Sequence, residues 1–371
     1  MQPPRCIVAS LVWNPAPKSS YERLSMRSKS ATPAPQQLAE VETILQKRFG
    51  KQVLFRASDP KFQIRRISTG ILTLDFLLGG GIALGRITEF YGQYAALKSH
   101  ALYRTIALAQ ATGRNCALMD AEHSFDPTHA SRLGIDLEAL TMIGELEVGE
   151  EIIDVGEALI RSGKFDLVGV DSIAALVPKD ELEESAEASQ MGKMGKLTSK
   201  MARKWNAVNN GNTAVVLINQ VRENVGVHYG NPEKPVGGRA IGFFASQRVD
   251  FRKGEAIKGK TRKVENGKVV EKDGTIGRVV RVRVEKDKTG ANAERDGSFR
   301  YLYDLRAVDR TGELLQLGLE VGAVTQIGLK YQTKWSPPMM RAAFLNLIER
   351  DPKLAAKMLA AVKVMARKDD L

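Results

Sequence analysis

The 371-residue sequence predicts an α/β fold, a mainly parallel sheet flanked by helices, on three observations. Four short runs, RITEFY (86–91), NCALMD (115–120), DLVGVD (166–171) and TAVVLIN (213–219), are apolar with little alternation, as strands buried on both faces are. Helical stretches separate these runs. The turn after the first run, GQYAALKS (92–99), feeds directly into the helical HALYRTIALAQATG, the strand–turn–helix order of a phosphate-binding loop.

Taken in chain order, residues 1–35 are rich in Pro, Ser and basic residues and read as a disordered basic tail, with Met26 an alternative start and a transit peptide a minor alternative. Residues 36–60 are a helix and linker: QQLAEVETILQKRFG sets Leu38, Val41, Ile44 and Leu45 at helical spacing and stops at Gly50. Residues 61–300 carry the alternating strands and helices. Within them RVDFRK and GRVVRVRVEKDK read as antiparallel edge strands, joined by KVENGKVVE, whose Asn266-Gly267 is a hairpin signal. The basic stretch 253–278 around it is expected to project from the domain. Residues 301–371, with helical PMMRAAFLNLIER and KLAAKMLAAVKVMARK, read as a small C-terminal α/β domain.

Composition narrows the partners. Lys+Arg (55) exceed Asp+Glu (43), giving a net charge of +12, which suits either a generally basic protein or one that binds a polyanion such as nucleic acid. Two cysteines, Cys6 and Cys116, offer neither a disulfide framework nor a cysteine zinc site, and Cys116 sits in an apolar run as a buried thiol. That usage fits the cytoplasm. No apolar run reaches the ~18–20 residues of a membrane span, and no secretory signal is read.

Each strand run ends in a residue suited to nucleotide chemistry, at the edge where open parallel sheets bind ligands. The loop keeps Gly92, Lys98 and Ser99 of G-x-x-x-x-G-K-[ST] but has Leu97 for the second glycine. ALMDAEH ends with Asp120 and Glu122, LVGVDS with Asp171 and Ser172, and VLINQVR with Asn219 and Gln220. An apolar run closing on Asp suits Mg²⁺ held through water, and the amides suit sensing of a γ-phosphate.

At this point the sequence resembles the RecA-type homologous recombinases, from about Gln36 to the end, with a bulky P-loop residue like that of some bacteriophage members. The residues that carry the likeness are ISTGILTLDFLLGGGIALGRITEFYG (67–92), MDAEHSFDPTHASRLGID (119–136), VGVDSIAALVPKDELE (168–183), INQVRENVGVHYGNPEKPVGGRA (218–240) and TGELLQLG (311–318). The resemblance implies a P-loop ATPase core, with residues 36–60 serving subunit–subunit packing. It implies ATP in a loop of Gly92, Gln93, Tyr94, Ala95, Ala96, Leu97, Lys98, Ser99 and His100, with Lys98 on the β- and γ-phosphates. Ser99 and Asp171 would hold Mg²⁺, Glu122 would be the catalytic base, and Gln220 the γ-phosphate sensor. Asp126 falls on an adenine contact, and His129 stands where a tyrosine usually stacks on the base. Lys286 and Lys288 match lysines that reach a neighbour's ATP, so hydrolysis would require a filament.

The same resemblance implies two DNA loops. Loop one, about 182–191, ends at Met191-Gly192 and leads into KMGKLTSKMARK, where Lys196, Ser199 and Arg203 fall on or near phosphate contacts; Lys193, Lys200 and Lys204 share that helix face by spacing. Loop two, about 221–238, supplies Arg222, Tyr229, Gly237 and Gly238, followed by Arg239. Departures from the family are the acids Glu183, Glu184 and Glu187 in loop one, Tyr94 for a P-loop acid, Gly242 for an interfacial lysine, and an end (ARKDDL) without the acidic tail of many bacterial members.

The function so implied is a DNA-dependent ATPase that forms homo-oligomeric helical filaments on single-stranded DNA and pairs it with homologous double-stranded DNA in recombinational repair. The alternative is a non-hydrolysing single-stranded-DNA filament protein with a degenerate P-loop. A regulatory or motor ATPase sharing the core is disfavoured by the GNP…GG loop and the basic helix.

Overall fold

In the computed structural model, residues 35–50, 53–182, 192–223, 233–265, 268–290 and 295–368 are described. The chain forms two compact units, Met1–Gln63 and Ile64–Leu371. In the first, α1 (Pro35–Phe49) ends on Lys47 and Arg48, favourable at a helix C-terminus, and Gly50 follows at φ 68°. A short 3-10 turn, Pro60–Phe62, is capped by Asp59, whose carboxylate accepts from the Lys61 amide at 2.9 Å.

The second unit opens with β1 (Arg66–Ile67), α2 (Leu72–Leu77) and β2 (Ile82–Ala83), the two strands pairing antiparallel. Alternation then begins: β3 (Ile87–Gly92), α3 (Lys98–Ala111), β4 (Cys116–Asp120), α4 (Pro127–Arg132), β5 (Leu140–Ile143), α5 (Gly149–Ser162), β6 (Leu167–Asp171), α6 (Lys179–Leu182), α7 (Lys193–Val208) and β7 (Ala214–Ile218). A small ladder, β8 (Val221–Glu223) with β9 (Glu233–Pro235), precedes α8 (Ala240–Phe244). The long pair β10 (Gln247–Glu265) and β11 (Lys268–Asp287) follows, then β12 (Arg295–Leu302) and β13 (Ala307–Val308).

These strands build a nine-stranded sheet of order β13-β12-β11-β10-β3-β7-β6-β4-β5. Pairs from β10 to β5 are parallel; β10 to β13 are antiparallel. Two expectations are corrected. RVDFRK and GRVVRVRVEKDK are not edge strands: β10 pairs parallel with β3 through Gln247↔Thr88 to Phe251↔Gly92, and β11 lies between β10 and β12. Their alternation misleads because one face of these inner strands carries Arg248, Asp250, Arg281 and Arg283, while Val249, Phe251, Val282 and Val284 are buried on the other. The edge strand β5 was not anticipated; its burial is mixed, so no apolar run marks it.

Alternate residues of the parallel strands serve opposite layers. Leu118 and Val216 join Leu102 and Ile106 of α3, while Ala117, Met119, Val215 and Leu217 join Ile153 of α5 and Met201 and Trp205 of α7. Trp205 is fully buried and its indole N–H donates to Ile153 O at 2.8 Å; Trp205→Ala is expected to cost ~3–5 kcal/mol. Cys116 is a buried free thiol, as expected, and burial pushes it up to about 12.

The C-terminal part comprises α9 (Arg310–Glu320), β14 (Thr325–Ile327), β15 (Lys330–Thr333), β16 (Ser336–Met340), α10 (Arg341–Arg350) and α11 (Pro352–Lys368). PMMRAAFLNLIER is therefore helical only from Arg341; its first residues belong to β16, which pairs with β15. Leu314, Leu317, Phe344 and Met358 share a core with Leu72 and Phe76 of α2. Buried Glu313 accepts the amides of Leu72 (3.3 Å) and Thr73 (2.9 Å), supplying acceptors to the start of α2. No described helix is long and apolar enough to cross a membrane.

Candidate nucleotide site and the adjoining loops

The segment from β3 to α3 turns sharply because Gly92 lies at φ 138°, where a Cβ would sit 2.1 Å from Phe251 O. Ala95 and Leu97 also take positive φ, 53° and 66°. Leu97 is thus left-handed (φ 66°, ψ 25°) at the N-cap of α3. The backbone follows the course a glycine would take, and its leucine packs against the core. That conformation costs an L-residue roughly 1–2 kcal/mol.

Tyr94, Ala95, Ala96, Leu97, Lys98, Ser99 and His100 line a cavity of about 330 Å³ together with Glu122, His129, Asp171 and Gln220. Ile218 and Tyr301 complete the wall. The buried Lys98 ammonium donates to Gln93 O at 2.7 Å and Gly92 O at 3.3 Å, so it spans the loop from below. Burial pushes Lys98 down to about 8, against the pull of Asp171 and Glu122. Asp171, at the end of β6, is raised to about 6 by burial despite a hydrogen bond from Ser99. Its Oδ2 is buried without a hydrogen-bond partner.

Glu122 stands at the exposed rim. Its Oε1 accepts from Gln220 Nε2 at 2.9 Å and from Ser172 Oγ. Gln220 immediately precedes β8, and its carbonyl accepts the Val236 amide at 3.0 Å. The site thereby touches the ladder that brackets loop two.

Other expected residues stand elsewhere. Gly92 and Gln93 are behind the cavity, Gln93 Oε1 accepting the Lys253 amide at 3.1 Å. Asp126 caps α4 by accepting from Thr128 N at 2.8 Å. Asp120 caps the turn after β4, accepting the Ser124 and Phe125 amides. The reading of Asn219 as a phosphate-sensing amide is corrected: it is fully buried, and its Nδ2 donates to Glu89 Oε1 (2.8 Å) and Val236 O (3.0 Å). Glu89 in turn pairs with Arg248 at 2.6 Å. Lys286 donates to Gly242 O (2.6 Å) and Phe243 O (3.0 Å) at the end of α8, and neither it nor Lys288 lines this chain's own cavity.

Met191 and Tyr229 lie outside the described residues, as do residues 183–191 of loop one and 224–232 of loop two. Their bases are described. Gly192 caps α7 at φ 90°. Lys196, Lys200 and Arg203 are exposed on α7, with Ser199 between them, while Leu197, Met201 and Trp205 face inward. Lys204 does not join that basic face; it pairs with Asp154 (2.7 Å) and Glu157 (2.6 Å) of α5. Thr198 Oγ1 donates to Gly237 O at 2.7 Å, tying the end of loop two to α7. Gly238 and Arg239 are exposed beside it, and Arg222 is exposed on β8.

Two participants, Tyr301 and Ser172, escaped the sequence. Tyr301 reaches the cavity from β12, about two hundred residues from the P-loop, with no local signal. Ser172 was noticed beside Asp171 but not as a partner of Glu122. His100, within the expected loop, is buried and neutral, pushed down to about 3 by burial, with its ring 5.1 Å from that of Tyr301.

One solved structure, the crystal structure of the RadB recombinase, matches over 65% of this chain and 98% of its own at 21% identity, with a TM-score of 0.47. The family model described as RecA N-terminal domain matches residues 36–304. RecA-family proteins in general bind ATP with Mg²⁺, act on DNA and serve homologous recombination. The chain belongs to the RecA family.

Proposed function

We propose that this protein is a DNA-dependent ATPase that polymerises on single-stranded DNA in the cytoplasm and pairs it with homologous duplex during recombinational repair. The observation that carries the reading is the meeting of Gln220 and Ser172 on one oxygen of Glu122, above Lys98, Ser99 and Asp171. A sensor amide, a base and a phosphate cradle occupy one cavity, and the sensor continues into the loop-two ladder.

The donor set fits ATP and Mg²⁺. Lys98 offers a buried ammonium, and backbone amides at the start of α3 favour anions. The unpartnered Asp171 Oδ2 is an acceptor suited to a metal's water, with the Ser99 hydroxyl beside it. Bound Mg²⁺ would neutralise charge on the β- and γ-phosphates. Lys98 would hold the γ-phosphoryl in line for attack, and its charge would offset what builds there. Glu122 would orient and deprotonate the attacking water through Oε2, since Oε1 is engaged by Ser172 and Gln220. Gln220 would exchange Glu122 for the γ-phosphate when ATP binds, moving β8 and loop two with it. The exposed Lys196, Arg203, Arg222 and Arg239, with Ser199 and the Gly237-Gly238 amides, would take the DNA backbone beside Met191, and Tyr229 would stack or wedge against bases. Lys286 and Lys288 would act on a neighbouring subunit's nucleotide. Residues 36–60 would pack between subunits, and residues 301–371 would form a small C-terminal α/β domain that shares its core with α2.

Leu97 favours the rival reading, a filament protein that binds DNA without turning over ATP. Electron microscopy with ATP, Mg²⁺ and single-stranded DNA tests the proposal: helical filaments are expected, and their absence contradicts it.

A further inference from the structure

Strands β10 and β11 are far longer than the sheet that holds them. β3 accompanies β10 only from Gln247 to Phe251, and β12 accompanies β11 only from Gly277 to Val284. Between Lys258↔Thr275 and Glu265↔Lys268 the two strands pair with each other and with no other described strand. Eight residues, Lys258 to Glu265, at about 3.3 Å each make a ribbon ~26 Å long. None of its described residues from Glu255 to Ile276 is buried, so no core holds it out. Isolated two-stranded ribbons are marginal in water.

Its charge is the second observation. Residues 258–275 carry six Lys/Arg against three Asp/Glu, net +3, a quarter of the chain's +12 from a small fraction of its length. Lys258 and Lys260 are exposed on one strand and Lys272 on the other. Lys258 donates to Thr275 Oγ1 at 3.2 Å, and Lys260 pairs with Asp273 at 2.9 Å. Exposed pairs of this kind contribute little and exchange partners readily. The base of the ribbon meets the candidate nucleotide site: Lys253 lies 5.4 Å over the Tyr94 ring, and Lys253 and Arg278 share a cavity of about 330 Å³ with Ala95, Leu97, Tyr301 and Tyr303.

We propose that the β10–β11 ribbon is a duplex-DNA-binding arm, separate from loops one and two, whose lysines Lys258, Lys260 and Lys272 contact backbone phosphates. A two-stranded ribbon fits the ~12 Å major groove of B-DNA, and its length spans about three quarters of a helical turn of ~34 Å. The rival explanation is that the lysines only guard bare strand edges against pairing with another chain. The arm requires no ATP hydrolysis, so its test separates from that of the proposed function.

The test is fluorescence anisotropy with a labelled 30-base-pair duplex and a 30-nucleotide single strand, across a salt series, on the full chain. K258A/K260A/K272A is compared with wild type, alongside Asp273→Asn. The triple variant is expected to bind duplex about tenfold or more weakly, and its log–log salt slope to fall by about 2–3, near 0.9 per lost phosphate contact. Single-strand binding should stay within about twofold, and Asp273→Asn should tighten duplex binding. Unchanged duplex binding in both variants, an equal loss on single strands, or a wild type that binds no duplex each overturns the arm. Loss of duplex binding in a protein that never hydrolyses ATP supports the arm while contradicting the ATPase reading.

Discussion

Gln220 Nε2 donates to Glu122 Oε1 at 2.9 Å, and the same oxygen receives Ser172 Oγ. One carboxylate oxygen is thus held by the strand ends of β6 and β7, and the other is left for chemistry. Glu122→Gln is expected to lower ATP hydrolysis by ~10²–10⁴-fold, the range for a general base, with nucleotide affinity retained. Steady-state hydrolysis and equilibrium binding of a fluorescent ATP analogue check both halves.

Gln220→Ala separates sensing from chemistry. Gln220 is joined to Val236 of the loop-two ladder through its own carbonyl, so its side chain is the movable part. The variant is expected to keep basal hydrolysis within a few-fold and to lose its stimulation by single-stranded DNA. Stimulation equal to wild type would assign the coupling elsewhere.

Leu97 sits at φ 66°, where glycine is at ease and a β-branched residue is not. Leu97→Gly is expected to leave ATP affinity unchanged or raise it, and Leu97→Val to lower it several-fold. Titration calorimetry on the three proteins decides; a large fall with glycine contradicts a loop that already follows glycine geometry.

Gly237 lies at φ 85°, and a Cβ there would come within 2.7 Å of the Thr198 side chain. Gly237→Ala must therefore shift the end of loop two away from α7. Single-stranded DNA affinity should fall while nucleotide affinity holds, read by anisotropy with a labelled oligonucleotide.

Glu313 links stability to pH. Burial raises its folded pKa from 4.5 to about 7, against the amides of Thr73 and Leu72. Between those values the folded state holds a proton that the unfolded state releases, so stability falls as pH rises from about 4.5 to about 7 and levels off above. Glu313→Gln removes that proton and should flatten this part of the Tm–pH curve. An unchanged slope would assign the dependence to other groups, such as Asp75, which burial also raises.

The parallel core was legible because apolar runs such as Leu167–Asp171 need burial on both faces, and because Lys98, Glu122, Asp171 and Gln220 each follow such a run. Asn219 was misread because its type suits a ligand as well as it suits buried Glu89; only the fold shows which way the amide turns. β10 and β11 looked like edge strands because Arg248, Asp250, Arg281 and Arg283 alternate with buried Val249, Phe251, Val282 and Val284, so one face of these inner strands is polar. Tyr301 was invisible because its approach to the P-loop is a product of strand order. Lys204 shares a helical spacing with Lys196 and Lys200, yet Asp154 and Glu157 on α5 claim it.

The central claim is that a P-loop with Leu97 still turns over ATP when DNA is bound. Hydrolysis by wild type and Lys98→Ala, each with and without single-stranded DNA, tests it most directly. The account predicts a DNA-stimulated rate in wild type that Lys98→Ala abolishes. Equal, negligible rates in both proteins would contradict it.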